Sequence, residues 1–375
     1  MRRLVATVLA LLFATSCGPA ERSIALHAAD EIPQQLSDWN IVFARNGVLE
    51  LNDGVVPYEL NTPLFSDYAL KLRTLWLPEG SYATYRERGE FDFPVGTIIT
   101  KTFHYKKAAE WTVMSPSVLA RDRRASLNDN GQLALEDHVL IETRLLVRYE
   151  DGWKALPYVW NTEQNEAYLE IAGDIRSLEL VSERGSEEIA YVVPDGNQCS
   201  GCHTPNHTSK ELRPLGPRAW QLNGEYRYVD GVANQITRWQ AFGMLRGVGA
   251  TLPQGVNWYG PGDASLEQRA RAYLDANCAH CHNPAGAADT SALHLNIDAP
   301  VDRRFGICKA PVAVGRGSGD RPYDIYPGRP DDSILLYRMQ HADPAIAMPE
   351  LGRSAIHDEA VALIRDWIAG MAGDC

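Results

Sequence analysis

Two short runs constrain this chain more than anything else in it. Cys199-Ser200-Gly201-Cys202-His203 and Cys278-Ala279-His280-Cys281-His282 are both C-x-x-C-H, in a chain that opens with the layout of an export signal. In an exported protein this pattern reads as covalent attachment of c-type haem. Two cysteines three apart lie on one side of a helical turn, so both sulfurs can reach the vinyl groups along one porphyrin edge. The histidine that follows offers the proximal iron ligand. The expectation is two covalently bound haem c groups, attached at Cys199, Cys202, Cys278 and Cys281, with His203 and His282 as axial iron ligands. Two other chemistries use C-x-x-C: a four-cysteine zinc site and a redox dithiol. A zinc ribbon does not need a histidine directly after each second cysteine. Dithiol motifs sit at a helix start in a βαβ context.

The export reading rests on Arg2-Arg3, the apolar run from Leu4 to Ala14 and the small residues before Cys17. The run is too short to span a bilayer as a stable helix, so residues 1–20 read as a signal peptide of lipoprotein type. On that reading Cys17 is lipidated, the protein is periplasmic, and the lipid is its only membrane attachment; cleavage near Ala20 is the alternative. Of seven cysteines, Cys17 belongs to the signal and four to the motifs, which leaves Cys308 and Cys375. Two spare thiols in an oxidising compartment pair more often than not. A disulfide between them is the expectation, and two unpaired cysteines the alternative. The formal charge of −12 over 375 residues argues against nucleic acid and for docking onto a basic surface of a redox partner.

Along the chain, residues 21–60 read as an extended lead-in, and short β-like runs follow to about Pro194. Leu70 to Leu77 and Gly96 to Phe103 are rich in β-branched and aromatic residues. The clearest hairpin is Ile141 to Tyr149, Glu150-Asp151-Gly152, then Trp153 to Trp160, because Asp-Gly tolerates positive φ in a tight turn. Ala167 to Ile171 and Ile189 to Val193 complete a β-rich domain over 21–195, in which no residues have ligand or catalytic spacing. A first haem-binding segment spans 196–255, with a short helix from Asn234 to Leu245. A C-terminal cytochrome domain spans 256–375. Its first helix opens on the capping box Ser265-Leu266-Glu267-Gln268, a second runs from about Asp332 to Gln340, and the last from His357 to Met371 carries Val361, Ile364, Trp367 and Ile368 on one face.

For the second haem the sixth ligand is expected to be Met348, in the loop Met348-Pro349-Glu350-Leu351-Gly352 before the last helix, with Met339 as fallback. A soft thioether opposite imidazole stabilises ferrous iron and raises the potential. For the first haem the candidates are His207, Met244, His104, Met114 or His138, or an open five-coordinate iron. Each proximal histidine is expected to be oriented by a hydrogen bond from its other ring nitrogen, from the segments at Asn283-Pro284 for His282 and Pro214 to Pro217 for His203.

From Ser265 to Cys375 the chain resembles a class I-type bacterial cytochrome c domain, through Asn277 to Pro284, Met348 to Arg353 and Leu363 to Ile368. As a whole it resembles exported bacterial di-haem c-type cytochromes with a β-rich N-terminal region, through Asn61 to Ala69, Phe93 to Thr97 and Leu156 to Asn161. The expected fold class is therefore α+β, a β-rich N-terminal domain followed by a mostly α-helical c-type cytochrome region. The resemblance implies periplasmic single-electron transfer between redox proteins and no catalytic residues. Two alternatives stay open: a peroxidase-like di-haem enzyme with an open first haem, or the electron outlet of a dehydrogenase with the β domain as binding module.

Overall fold

The structure is a computed structural model and describes residues 23–120, 127–260, 262–312 and 314–375. The signal segment and Cys17 lie outside the described residues. Among those described, no helix is long and apolar enough to cross a membrane.

A six-stranded antiparallel sheet dominates. Its strands are β1 (Val56–Tyr58), β2 (Leu70–Trp76), β3 (Ile98–Lys106), β4 (His138–Tyr149), β5 (Gly152–Trp160) and β6 (Ala167–Leu169). They pair in sequence order, so the sheet is a plain meander whose neighbours in space are neighbours in chain. The Asp151-Gly152 turn forms where the sequence places it: Tyr149 pairs with Gly152, whose φ of 139° suits a residue without Cβ. Both faces are covered, which explains why β3 carries apolar residues at odd and even positions alike. Ile98, Leu72, Leu145, Leu156 and Tyr158 pack on one side with Trp39, Ile41 and Leu49. Ile99, Leu75 and Leu146 pack on the other with Phe91, Leu222 and Trp239. Residues 21–60 are thus no extended lead-in. They include a hairpin, Val42–Arg45 with Val48–Leu51, and deliver the fully buried Trp39, whose indole N–H donates to Tyr158 Oη at 2.7 Å.

Beside the sheet stands the hairpin β7 (Asp174–Ser182) and β8 (Gly185–Val193). Only β8 is anticipated from sequence; β7 alternates Ile175, Ser177 and Glu179 outward and is masked by its charges. Chain direction then delivers Pro194 and Asp195 into helix α1 (Gly196–His203), the first motif. Asp195 caps it, accepting from Gln198 N while the Gln198 side chain accepts from Asp195 N.

The expected mostly α-helical cytochrome region is not there. The chain as a whole is β-sheet-rich, with six α-helices among the described residues. Region 256–375 holds three of them, α2 (Leu266–Asn277), α3 (Ile334–Met339) and α4 (Asp358–Ala369), of 12, 6 and 12 residues. Most of the rest is loop and single 3-10 turns. Proline and glycine at 284, 286, 300, 306, 311, 315, 317, 319, 322, 327, 328 and 330 interrupt most of the stretch between α2 and α3, and the uninterrupted run 287–299 forms only the 3-10 turn Asp289–Ser291. What order it has comes from a core in which α2 and α4 pack through Ala270, Leu274, Ile364 and Trp367 around Phe305. Cys308 and Cys375 are joined by a disulfide across that loop-rich region.

The β region and the C-terminal region are pinned together. Phe65 N donates to Asn277 Oδ1 at 2.8 Å, and Asp67 Oδ1 accepts from the backbone N–H of Ser354 (2.6 Å) and Ala355 (2.7 Å). Both partners lie next to the second motif or its methionine loop.

Candidate cofactor-binding site

The two motifs come together. Cys281 Sγ lies 3.8 Å from Gly201 O, and His207 N donates to Ala285 O at 2.7 Å. They meet against one face of the sheet, where two adjoining clefts of about 120 and 380 Å³ open. The first cleft is lined by Cys199, Cys202 and His203 from α1, by β3 and β4, and by Pro349 to Arg353. His203, His280, Lys101, Leu64 and Leu215 line both.

The two motif histidines are set by their Nδ1 partners. His203 Nδ1 lies 2.8 Å from Arg213 O. A carbonyl can only accept, so Nδ1 carries the proton and Nε2 keeps its lone pair. Arg213 lies one residue before the segment Pro214 to Pro217 that the sequence pointed to. His282 Nδ1 lies 3.1 Å from Ser291 Oγ, whose only hydrogen goes to Ala288 O at 2.6 Å. The hydroxyl must therefore accept from His282, and again Nε2 is left with its lone pair. The orienting partner here is a serine rather than the Asn283-Pro284 backbone. Burial pushes the His203 pKa down to about 3, with Lys101 adding to it, and that of His282 down to about 4, with Arg338 and Lys309 adding. Both rings are neutral at neutral pH, the form that ligates metal.

The four motif cysteines are free thiols. Burial raises all of them, Cys278 to about 12 and Cys281 to about 11. A redox dithiol needs the opposite shift. They also do not converge as a four-cysteine zinc site requires: among the described residues no group of three or more His, Cys, Asp or Glu is placed to hold a metal ion.

The floor of the clefts carries what the sequence did not disclose. Arg73 on β2, Lys101 on β3 and Arg144 on β4 are direct cross-strand partners, one rung of three cations. Like charges in register weaken a sheet. Lys71, two rungs away on the same face, is buried too, and its Nζ donates to Ala69 O at 2.9 Å. Two carboxylates answer them. Glu59 reaches Arg73 at 3.4 Å, and Glu142 accepts from Arg144 Nε at 2.7 Å and from Tyr191 Oη at 2.7 Å. Burial opposes the charge on Arg144, but Glu142 outweighs it. Lys101 has no hydrogen-bond or ion-pair partner among the described residues. Burial, with Arg73 and Arg144 beside it, lowers its pKa to about 7. Arg353 also lines the first cleft, and its Nε is buried and unpartnered. A flat apolar cleft with excess cations on its floor fits a haem, whose edge carries two carboxylates. Four residues that sequence reasoning missed make this fit: Arg73, Lys101, Arg144 and His280. The available signal was a lysine and two arginines at same-face positions of strands otherwise built from Leu, Ile, Thr and Phe.

Met348 lies in the expected loop. Its N–H donates to Arg338 O at 3.1 Å and its carbonyl accepts from Arg353 Nη2 at 2.8 Å; the Met348–Pro349 peptide is cis. Arg338 is also the side chain whose charge bears on His282. Met339 is packed in the core with Leu336 and Ile364. Among the first-haem candidates, His207 and Met114 are exposed, the latter by 92%, and Met244 packs under Trp239. His104 is fully buried, 5.0 Å ring to ring from the half-buried His138, and neither lines a cleft.

No family model, no curated protein and no solved structure matches this chain.

Proposed function

We propose that this is a periplasmic di-haem c-type cytochrome that carries single electrons between redox proteins. The observation that carries the reading is the state of the two motif histidines. Each follows a pair of free cysteines and has Nδ1 committed to an acceptor, which leaves a neutral Nε2. Cys199 with Cys202 and Cys278 with Cys281 would each attach one group through thioether bonds, His203 and His282 would hold the irons, Met348 would serve the second, and the cationic rung would hold carboxylates of the first. The bound iron would supply one-electron chemistry between ferric and ferrous states. The chain holds the porphyrin edge, neutralises its charge and excludes water. A net charge of −12 supports docking onto basic partner surfaces, and the export signal with Cys17 supports lipid anchoring at a periplasmic membrane face. The resemblance stated for 265–375 agrees with this reading.

The test is expression of the full chain in a host with c-type maturation, followed by denaturing electrophoresis with haem staining and intact mass. Two haem additions are expected. Cys199→Ala/Cys202→Ala and Cys278→Ala/Cys281→Ala should each lose one. A colourless protein carrying zinc, or no group at all, would refute the proposal.

A further inference from the structure

We infer that His280, between the two cysteines of the second motif, is the sixth ligand to the iron of the group attached at Cys199 and Cys202. This rests on the function proposed above. His280 and His203 line the same two clefts. His203 offers a free Nε2 lone pair, its Nδ1 being held by Arg213 O. The His280 ring is half-buried, and among the described residues neither of its nitrogens has a hydrogen-bond partner. Its ring nitrogens are thus free to engage a group seated in the cleft.

Its backbone is firmly held. Helix α2 ends at Asn277, and the Asn283 side chain donates to Ala279 O at 2.9 Å and His280 O at 3.1 Å. The ring is thus presented from a fixed turn, as a ligand should be. The second motif would then serve two groups at once: its own through Cys278, Cys281 and His282, and its neighbour's through His280.

The experiment compares ferric and ferrous absorption and electron paramagnetic resonance spectra of loaded wild type, His280→Ala, His280→Met and Lys101→Met, with haem stain and intact mass on each. The wild type should show two low-spin haems, one of them with two nitrogen axial ligands. In His280→Ala both groups stay attached, one low-spin signal becomes high-spin, and added imidazole restores it. His280→Met should stay low-spin with the potential of the first wave raised, which covers the case in which the alanine variant folds poorly. Two unchanged low-spin signals in His280→Ala would overturn the assignment. Conversion to high spin in Lys101→Met instead would hand the position to Lys101 and overturn it equally. A wild type without haem would refute the underlying function, whereas a two-haem wild type indifferent to His280 refutes only the ligand.

Discussion

The rung Arg73–Lys101–Arg144 makes a prediction whose sign reverses with loading. Consider Lys101→Met, which keeps the length of the side chain and removes its charge. In the unloaded protein the lysine is strained: its pKa falls from 10.5 to about 7, chiefly through burial and then through its two cross-strand arginines. At ~1.4 kcal/mol for each tenfold change this caps the cost at about 4 kcal/mol at neutral pH. Lys101 is partly open to the cleft, so solvent brings the expected gain from the substitution to roughly 2 kcal/mol. The pH window follows from the sign. The folded pKa lies below the unfolded one, so the unfolded chain binds more protons between about pH 7 and 10.5. The penalty is complete below that window and fades as pH rises through it. Urea unfolding of wild type and Lys101→Met, both in the colourless form, should therefore converge towards pH 10. In the haem-loaded protein the order inverts. The cation now faces carboxylates, the variant is the less stable, and one haem's potential falls by something on the order of tens of millivolts as ferric iron is relieved of a nearby positive charge. Stabilisation of the same sign in both forms would refute the idea that the rung exists to meet an anionic group.

Other expectations are briefer. Met348→Ala should lower the potential of one haem only in a spectroscopic redox titration; two unchanged waves would mean that another residue ligates. Asp67→Ala leaves the N–H groups of Ser354 and Ala355 without their acceptor and should cost about 2–3 kcal/mol in denaturant unfolding. Burial raises the Asp67 pKa despite those two bonds, so its contribution is largest below the unfolded value of 3.8 and declines as pH rises through the folded one. Asp67→Asn should flatten that part of the stability profile, and an unaltered profile would count against it. Cys308→Ala/Cys375→Ala opens a loop closed over 67 residues and should cost roughly 4 kcal/mol, read as a lower urea midpoint.

The motifs were plain because C-x-x-C-H is a fixed local spacing, and the sheet was plain because β-branched runs and an Asp-Gly turn are local signals. The capping box at Ser265 and Gln268 is local too, and it is present. The helical content of 256–375 was misjudged for the opposite reason. Three clear helices, read through a family likeness, drew attention from the proline and glycine punctuation between them. The site's cations were hidden because Arg73, Lys101 and Arg144 are far apart in chain, and only strand register makes them neighbours. His280 was hidden in plain view, as a spacer inside a motif read for its cysteines.

That register has a consequence for how such a chain can change. Residues 98 and 100 on β3 face one side of the sheet and 99 and 101 the other, so the alternation that seats Ile98 beside Leu72 and Leu145 is the same one that aims Lys101 at the clefts. Slipping β3 by one residue would drive a lysine into an apolar core and leave the clefts without their central charge. Insertions between β2, β3 and β4 are therefore tolerable in the turns and intolerable in the strands, whether or not a cofactor is ever attached. Core packing guards the alignment of the charges, and any descendant that keeps this sheet folded keeps its cationic floor in line.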